Sequence, residues 1–337
     1  MTIGQGFKKK LFNGICVFLA LIFFVALFEI YAPKSFSQKP SALYVVQKGS
    51  GGSAIASDLK AAGMIKSTLF FRAYAIVSGS YTRLQAGTYE ISPYMSIAAI
   101  IKKLATGDVA KNTITIIEGW DKRDIIQYAE SKNLFLGEEF LAVFSRDFSS
   151  GFSFLSDKPR GSDLEGYIFP DTYQLKLEAA PEEFIKIALA NFDKKLTQGL
   201  RQEIAGQGKT IFGVITMASM IEKEVQSMSD KKMVSGILWK RLEAGMPLQV
   251  DATVNYVTGK NTRSTTIVDT GIDSPYNTYK YSGLPKGPIG NPGIDSIIAA
   301  VYPAENPYWY YLSTKEGKTI FSKTLEEHNA AVAKYLK

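Results

Sequence analysis

The chain has 337 residues, 46% hydrophobic and 21% charged, which suits about two globular domains at ~150 residues each and excludes wholesale disorder. Its net charge of +7 sits disproportionately in residues 1–40, which hold Lys8, Lys9, Lys10, Lys34 and Lys39 against Glu29, so the body keeps no clustered basic face for nucleic acid. One cysteine, Cys16, excludes an intramolecular disulfide and Cys-rich zinc sites, and one histidine, His328, leaves His-based zinc sites and Ser-His-Asp or Cys-His nucleophiles almost nothing to work with; the chemistry rests on carboxylates, hydroxyls, amides or lysines.

Residues 1–10 read as a short cytoplasmic tail. Leu11 to Ile30 is apolar except for Asn13, Gly14 and Glu29, and a helix of 20 residues spans ~30 Å, the thickness of a bilayer core. A cleavable signal peptide is the rival reading. Its apolar run is ~7–15 residues long and ends in small residues, whereas this run is longer and Pro33 follows the only plausible cut. We therefore expect an uncleaved anchor over 11–31. Lys8-Lys9-Lys10 should stay cytoplasmic, placing the body on the far side of the cytoplasmic membrane as a single-pass protein.

Residues 32–42, rich in Ser, Lys and Pro, read as a linker. Next come a strand at 43–46, amphipathic helices at 53–62 and 67–77, an alternating strand at 87–92 and a helix at 95–104 closed by Gly107. Together residues 43–108 suggest a small α+β module. The rest, 109–337, opens with a β-branched strand at 113–117 and a helix from 121 that Asp121 should cap. Long helices are expected at 181–204 and 211–227. Beyond Gly245, glycine, proline, tyrosine and asparagine are dense. The stretch Gly283-Leu284-Pro285-Lys286-Gly287-Pro288-Ile289-Gly290-Asn291-Pro292-Gly293 cannot be regular structure; it is either a structural wrap or a loop folded over a ligand. The fold class is α+β.

The segment 211–225 is the most informative. On a wheel of 100° per residue from Ile211, Val214, Ile215, Ala218, Ile221 and Val225 fall within ~80° of one direction. Glu222 falls at about 20°, amid this face, while Lys223 and Glu224 leave it, near 120° and 220°. A carboxylate turned into an apolar wall is either neutralised by a partner or keeps its proton through desolvation. The second case suits a general acid for glycosidic-bond cleavage. The first is a buried glutamate with ordinary hydrogen bonds, and the wheel leaves both open. Hydrolytic glycosidases usually need a second carboxylate. Asp251, Glu165 and Asp171 are candidates, none at a diagnostic spacing, and each also reads as a loop-ordering or capping residue.

Ala218-Ser219-Met220-Ile221-Glu222-Lys223-Glu224 resembles the catalytic signature of the endolytic murein transglycosylases, the MltG/YceG-like family. Leu164-Glu165-Gly166-Tyr167-Ile168-Phe169-Pro170-Asp171-Thr172-Tyr173, Met246-Pro247-Leu248-Gln249-Val250-Asp251-Ala252-Thr253-Val254 and Tyr276-Asn277-Thr278-Tyr279 running into the 283–293 loop agree with it in order. So do Glu118-Gly119 and Glu327-His328-Asn329. The resemblance implies a lytic transglycosylase that cuts peptidoglycan glycan strands between N-acetylmuramic acid and N-acetylglucosamine. By analogy Glu222 protonates the glycosidic oxygen, then takes the proton of the muramic C6 hydroxyl as that group closes onto C1. The product end is 1,6-anhydromuramic, no water is consumed, and one glutamate serving twice explains the lack of an obvious second carboxylate.

The resemblance also implies that 43–108 is a LysM-like subdomain, that 109–337 is the catalytic domain, and that Gln249, Asp251, Asn277 and Tyr279 line the substrate groove. Those four are equally readable as loop hydrogen bonds. The chain departs from the family pattern at Lys286, Val250 and Ala252, which bear on loop stiffness and groove detail. His328 gains no derivable role. No metal or organic cofactor is implied. Proximity to the membrane suggests partnership with glycan polymerases and penicillin-binding proteins and a role in terminating nascent strands. The alternatives are a muramidase that hydrolyses the same bond and a non-catalytic peptidoglycan-binding scaffold.

Overall fold

The computed structural model describes residues 3–37, 40–260 and 265–336. It has mixed α and β structure, and its contacts divide the chain into two units, Met1–Asn112 and Thr113–Lys337.

The first unit begins with α1, Ile3–Tyr31. Within it Phe7–Tyr31, whose most apolar 18-residue window has a mean hydropathy of 2.7, is long and apolar enough to cross a membrane, with its apolar side chains exposed. Strand β1 (Ala42–Val46) pairs antiparallel with β2 (Gly87–Ile91), in register from Ala42 opposite Ile91 to Val46 opposite Gly87. Between them lie α2 (Gly52–Ala61) and α3 (Thr68–Val77), and α4 (Ile97–Thr106) follows. Ser67 and Ser96 cap α3 and α4 by accepting from Phe70 N and Ala99 N, and Gly107 ends α4 in the left-handed region. Ile55, Leu59, Phe71, Tyr89, Ile91, Ile100 and Leu104 form the buried core.

Part of the stretch read as a linker carries hydrogen bonds to the first unit. Lys34 Nζ donates to Gly63 O at 2.8 Å and Ser35 N to Pro93 O at 2.9 Å. Gln38 and Lys39 lie outside the described residues. The end of α1 packs on the same unit, Tyr31 edge-on to Tyr74 and Lys66 over the Phe28 ring.

In the second unit β3 (Lys111–Thr115) pairs with β4 (Thr172–Lys176). Helices α5 (Lys122–Ser131) and α6 (Gly137–Phe144) and a 3-10 turn at Ser153–Leu155 lie between these strands in sequence. Asp121 caps α5 through a capping box with Asp124, as its position predicts. Phe140, Phe144, Phe154, Phe184 and Phe192 are fully buried, with Phe154 stacked on Phe192 at 5.0 Å. Each such side chain is worth roughly 1.5–3 kcal/mol of burial.

The helix expected over 181–204 is two helices, α7 (Pro181–Lys195) and α8 (Gln198–Gly206). Thr197 breaks it, because its hydroxyl accepts from Leu200 N and starts a new helix. Helix α9 (Ile211–Glu224) stops short of 227, since Val225 is extended and Ser227 caps α10 (Met228–Glu243). There follow α11 (Asp251–Thr258), α12 (Ile267–Thr270), α13 (Ile294–Val301), a hairpin of β5 (Tyr310–Ser313) and β6 (Thr319–Ser322), and α14 (Leu325–Tyr335). His328 of α14 stacks on Tyr310 at 5.4 Å, a packing role.

Gly166 shows how tightly the loops meet α9. Its φ is +87°, and a Cβ there would lie 2.6 Å from Pro288 Cβ and 3.0 Å from Ile215 Cγ2. Gly166→Ala should therefore cost about 1–3 kcal/mol in a denaturant melt, through strain and overpacking.

Candidate active site

Helix α9 carries the site, and its start is fixed by two acceptors. Asp157 takes the Ile211 and Phe212 N–H groups at 2.5 and 3.3 Å, and Thr210 takes Gly213 N at 3.0 Å. Every residue from Gly213 to Ile221 is buried, so α9 is enclosed on all sides where the wheel suggests one apolar face. Packing from several loops overrides the wheel. The 283–293 loop is pinned to α9 twice. Ser219 Oγ accepts from Ile289 N at 3.0 Å while donating to Thr216 O, and one turn later Glu222 Oε2 accepts from Gly293 N at 2.9 Å.

The same loop runs against residues 118–120. Gly119 N donates to Asn291 O and Asn291 N to Trp120 O, both at 2.8 Å. The Asn291 side chain donates to Trp120 O and accepts from Ile168 N, both at 2.8 Å. Glycine is required at 290, where a Cβ would stand 2.6 Å from Gly119 O. The Glu118-Gly119, 164–173 and 283–293 motifs thus meet one another beside α9, and the first and last of them reach its final turn.

Glu222 lies at that convergence. Its Oε1 accepts from Lys231 Nζ of α10 at 3.0 Å, and the two side chains are only 8% and 5% exposed. Of the two fates open to a carboxylate in an apolar wall, the structure shows neutralisation by a partner. Lys231 is the site residue that sequence reasoning missed. Nothing in the helical period of α10 marks it, because its value comes from a partner on another helix. Glu118 is the other neighbour. A Cβ at Gly119 would be 3.7 Å from Glu222 Cγ, and a Cβ at Gly293 would overlap the Glu118 carboxyl. Burial, then the charges of Glu222 and Asp295, push the Glu118 carboxyl up, against the pull of Lys231.

The proposed groove residues gather in a second cluster. Asp251 Oδ1 accepts from Tyr279 Oη at 2.6 Å and Thr265 Oγ1 at 2.7 Å. Gln249 is exposed and holds a left-handed φ of 54°, rare outside glycine and typical of strained functional backbone. Asn277 is buried. Its amide donates to Thr270 O and Ile272 O and accepts from Tyr279 N, so it is committed to shaping its own loop. Glu224 does not leave for solvent as the wheel predicts. Burial and then the Asp251 charge lift it to about 7, opposed by hydrogen bonds from Tyr311 and Ala252 N.

The remaining carboxylates are structural in their contacts. Glu165 is 2% exposed and accepts from Lys122 N at 3.1 Å and Tyr256 Oη at 3.2 Å. Asp171 accepts from Thr172 N and the Asn191 amide at 2.8 and 3.0 Å.

Two consequences are measurable. Lys231→Met strands Glu222 as an unpaired buried charge, so chemical denaturation should show a loss of about 3–5 kcal/mol, part of which Glu222→Gln in the same background should restore. Burial lifts Glu165 to about 8 from an ordinary 4.5. Between those values the native state holds a proton that the unfolded chain has released, so stability should fall as pH rises through that window. Melting temperatures across that range should show the fall, and Glu165→Gln should make it shallower.

The family model described as the YceG-like family matches residues 44–334. An endolytic murein transglycosylase of Bacillus subtilis is 34% identical over 310 residues, covering 86% of this chain and 84% of that protein. A Streptococcus pneumoniae protein of the same name is 31% identical over 319 residues; the match takes in 86% of this chain but only 58% of the relative. The crystal structure of a putative yceG-like protein from Listeria monocytogenes superposes with a TM-score of 0.61 at 33% identity, covering 87% of this chain and all of that one. With the convergent motifs and a match over most of its length, the chain belongs to the YceG-like family.

Proposed function

We propose that this protein is a membrane-anchored endolytic transglycosylase acting on the glycan strands of nascent peptidoglycan, with Glu222 at its catalytic centre. The relatives are named for this activity. The observation that carries the reading is Glu222 itself, a nearly enclosed carboxyl on a rigid helix, held by Lys231 and Gly293 N–H where three loops meet. Catalysis favours such a fixed group, because it loses nothing in reorganisation as the reaction proceeds.

At this centre the glycosidic oxygen between N-acetylmuramic acid and N-acetylglucosamine receives a proton. The muramic C6 hydroxyl loses one and closes onto C1, leaving a 1,6-anhydromuramic end and terminating the strand. The exposed amide of Gln249 and the Tyr279–Asp251 pair suit sugar hydroxyl and acetamido groups. Asn277 acts by holding the Tyr279 loop. The anchor is Phe7–Tyr31, with Lys8-Lys9-Lys10 cytoplasmic and the body on the other side of the cytoplasmic membrane. We read 43–108 as a LysM-like subdomain that holds glycan, supported by its paired strands and packed helices. A cutter of new strands at the membrane would work beside glycan polymerases and penicillin-binding proteins.

Mass spectrometry of fragments released from uncrosslinked glycan tests this. Wild type should give anhydro ends, and Glu222→Gln should lower their rate by at least about 100-fold with the circular dichroism spectrum of the fold retained. Reducing ends in place of anhydro ends would overturn the transglycosylase reading in favour of hydrolysis.

A further inference from the structure

Glu222 presents two oxygens that both accept, one from a lysine ammonium and one from a backbone N–H. Such a group is arranged to receive a proton, yet cleavage begins by giving one to the leaving oxygen. A second carboxyl stands beside it. Glu118 is exposed, and among the described residues no hydrogen bond holds its side chain. The backbone on either side of it is held by hydrogen bonds. Ile116 N donates to Asp171 O and Gly119 N to Asn291 O. Its carboxyl rests against the Cα of Gly293, the residue whose N–H holds Glu222. The two carboxyls therefore flank one backbone unit, one enclosed and paired, the other exposed.

Resting on the transglycosylase reading, we propose that Glu118 is the general acid of the reaction and Glu222 its base. The leaving oxygen of a β-linked sugar and the oxygen that closes a 1,6-anhydro bridge occupy the same face of C1, so acid and base must stand side by side. Glu118 gives its proton to the glycosidic oxygen as the C1–O bond breaks, and the leaving sugar departs as an alcohol. Glu222 takes the proton of the C6 hydroxyl as the O6–C1 bond forms. Glu118 is then a carboxylate and Glu222 an acid. One proton passed back restores both, with no water consumed. The charged groups that face Glu118 suit the role: Glu222 on α9 and Asp295 on α13 favour its protonated form, and Lys231 on α10 opposes them without contacting it. Two carboxyls in unlike surroundings are the usual means of dividing acid from base.

The division is tested with two substrates on the full-length protein in detergent. One is uncrosslinked glycan. The other carries a 4-nitrophenyl group on the muramic C1, a leaving group that departs without protonation. Glu118→Gln should lose about 100-fold or more on glycan, stay within a few-fold of wild type on the aryl substrate, and lose the alkaline fall in kcat/KM on glycan. Glu222→Gln should be impaired on both. The proposal is overturned if Glu118→Gln cuts glycan normally, if it is impaired equally on both substrates, or if its alkaline limb persists. It is also overturned if the aryl group rescues Glu222→Gln instead, which would make Glu222 the acid. Normal cutting of glycan by Glu222→Gln would sink the underlying reading separately. Melting temperature checks folding, and an exposed Glu118 should leave it unchanged.

Discussion

Glu222 has a lysine on one oxygen and the Gly293 N–H on the other, and the rest of the second unit is arranged around those two contacts. Enclosing a carboxylate costs several kcal/mol in lost hydration unless donors replace the water. Both donors come from elements far along the chain, so each must be brought in and fixed. Lys231 arrives because α9 ends at Glu224 and α10 starts again at Ser227. Gly293 arrives because the loop before it is fastened at Ile289 to Ser219 and at Asn291 to Trp120 and Ile168.

Glycine is what allows the fastening. At 290 the Gly119 backbone, and at 166 the Pro288 and Ile215 side chains, come closer than a Cβ would permit, and the proline-rich 283–293 stretch supplies stiffness without helix or strand. A loop of this kind cannot satisfy its backbone groups alone. Those of Ile289, Asn291 and Gly293 are met by a serine, a facing loop and the glutamate. The motif that resembles a wrap and the motif that resembles a catalytic helix are thus one construction.

The low dielectric that gives Glu222 its setting acts on its neighbours too. Glu165, beneath the 118–122 and 289–293 loops, and Glu224, on the opposite side of α9, are both lifted toward neutrality by burial. Glu165 joins Lys122 N and Tyr256, while Glu224 joins Tyr311 and Ala252, so each ties separate segments of the unit together. Buried carboxylates in this unit serve as fasteners. Burial alone therefore does not single out Glu222; its place beside the 118–120 and 283–293 loops does.

The sequence by itself determined the apolar N-terminal helix, the order of strands and helices from 43 to 129, the Asp121 cap and the place of Glu222 in a recognisable motif. Each depends on local period, capping chemistry or composition, which neighbouring residues carry. Only the tertiary structure decided that Lys231 pairs with Glu222, that Glu118 shares Gly293 with it, that Asn277 is spent on its own loop, and that Glu224 turns inward. Glu118 and Gly293 lie far apart in sequence, and Asn291 reaches Trp120 and Ile168 from a similar distance. Contacts between irregular loops have no period to read, so they exist only once the chain has closed on itself.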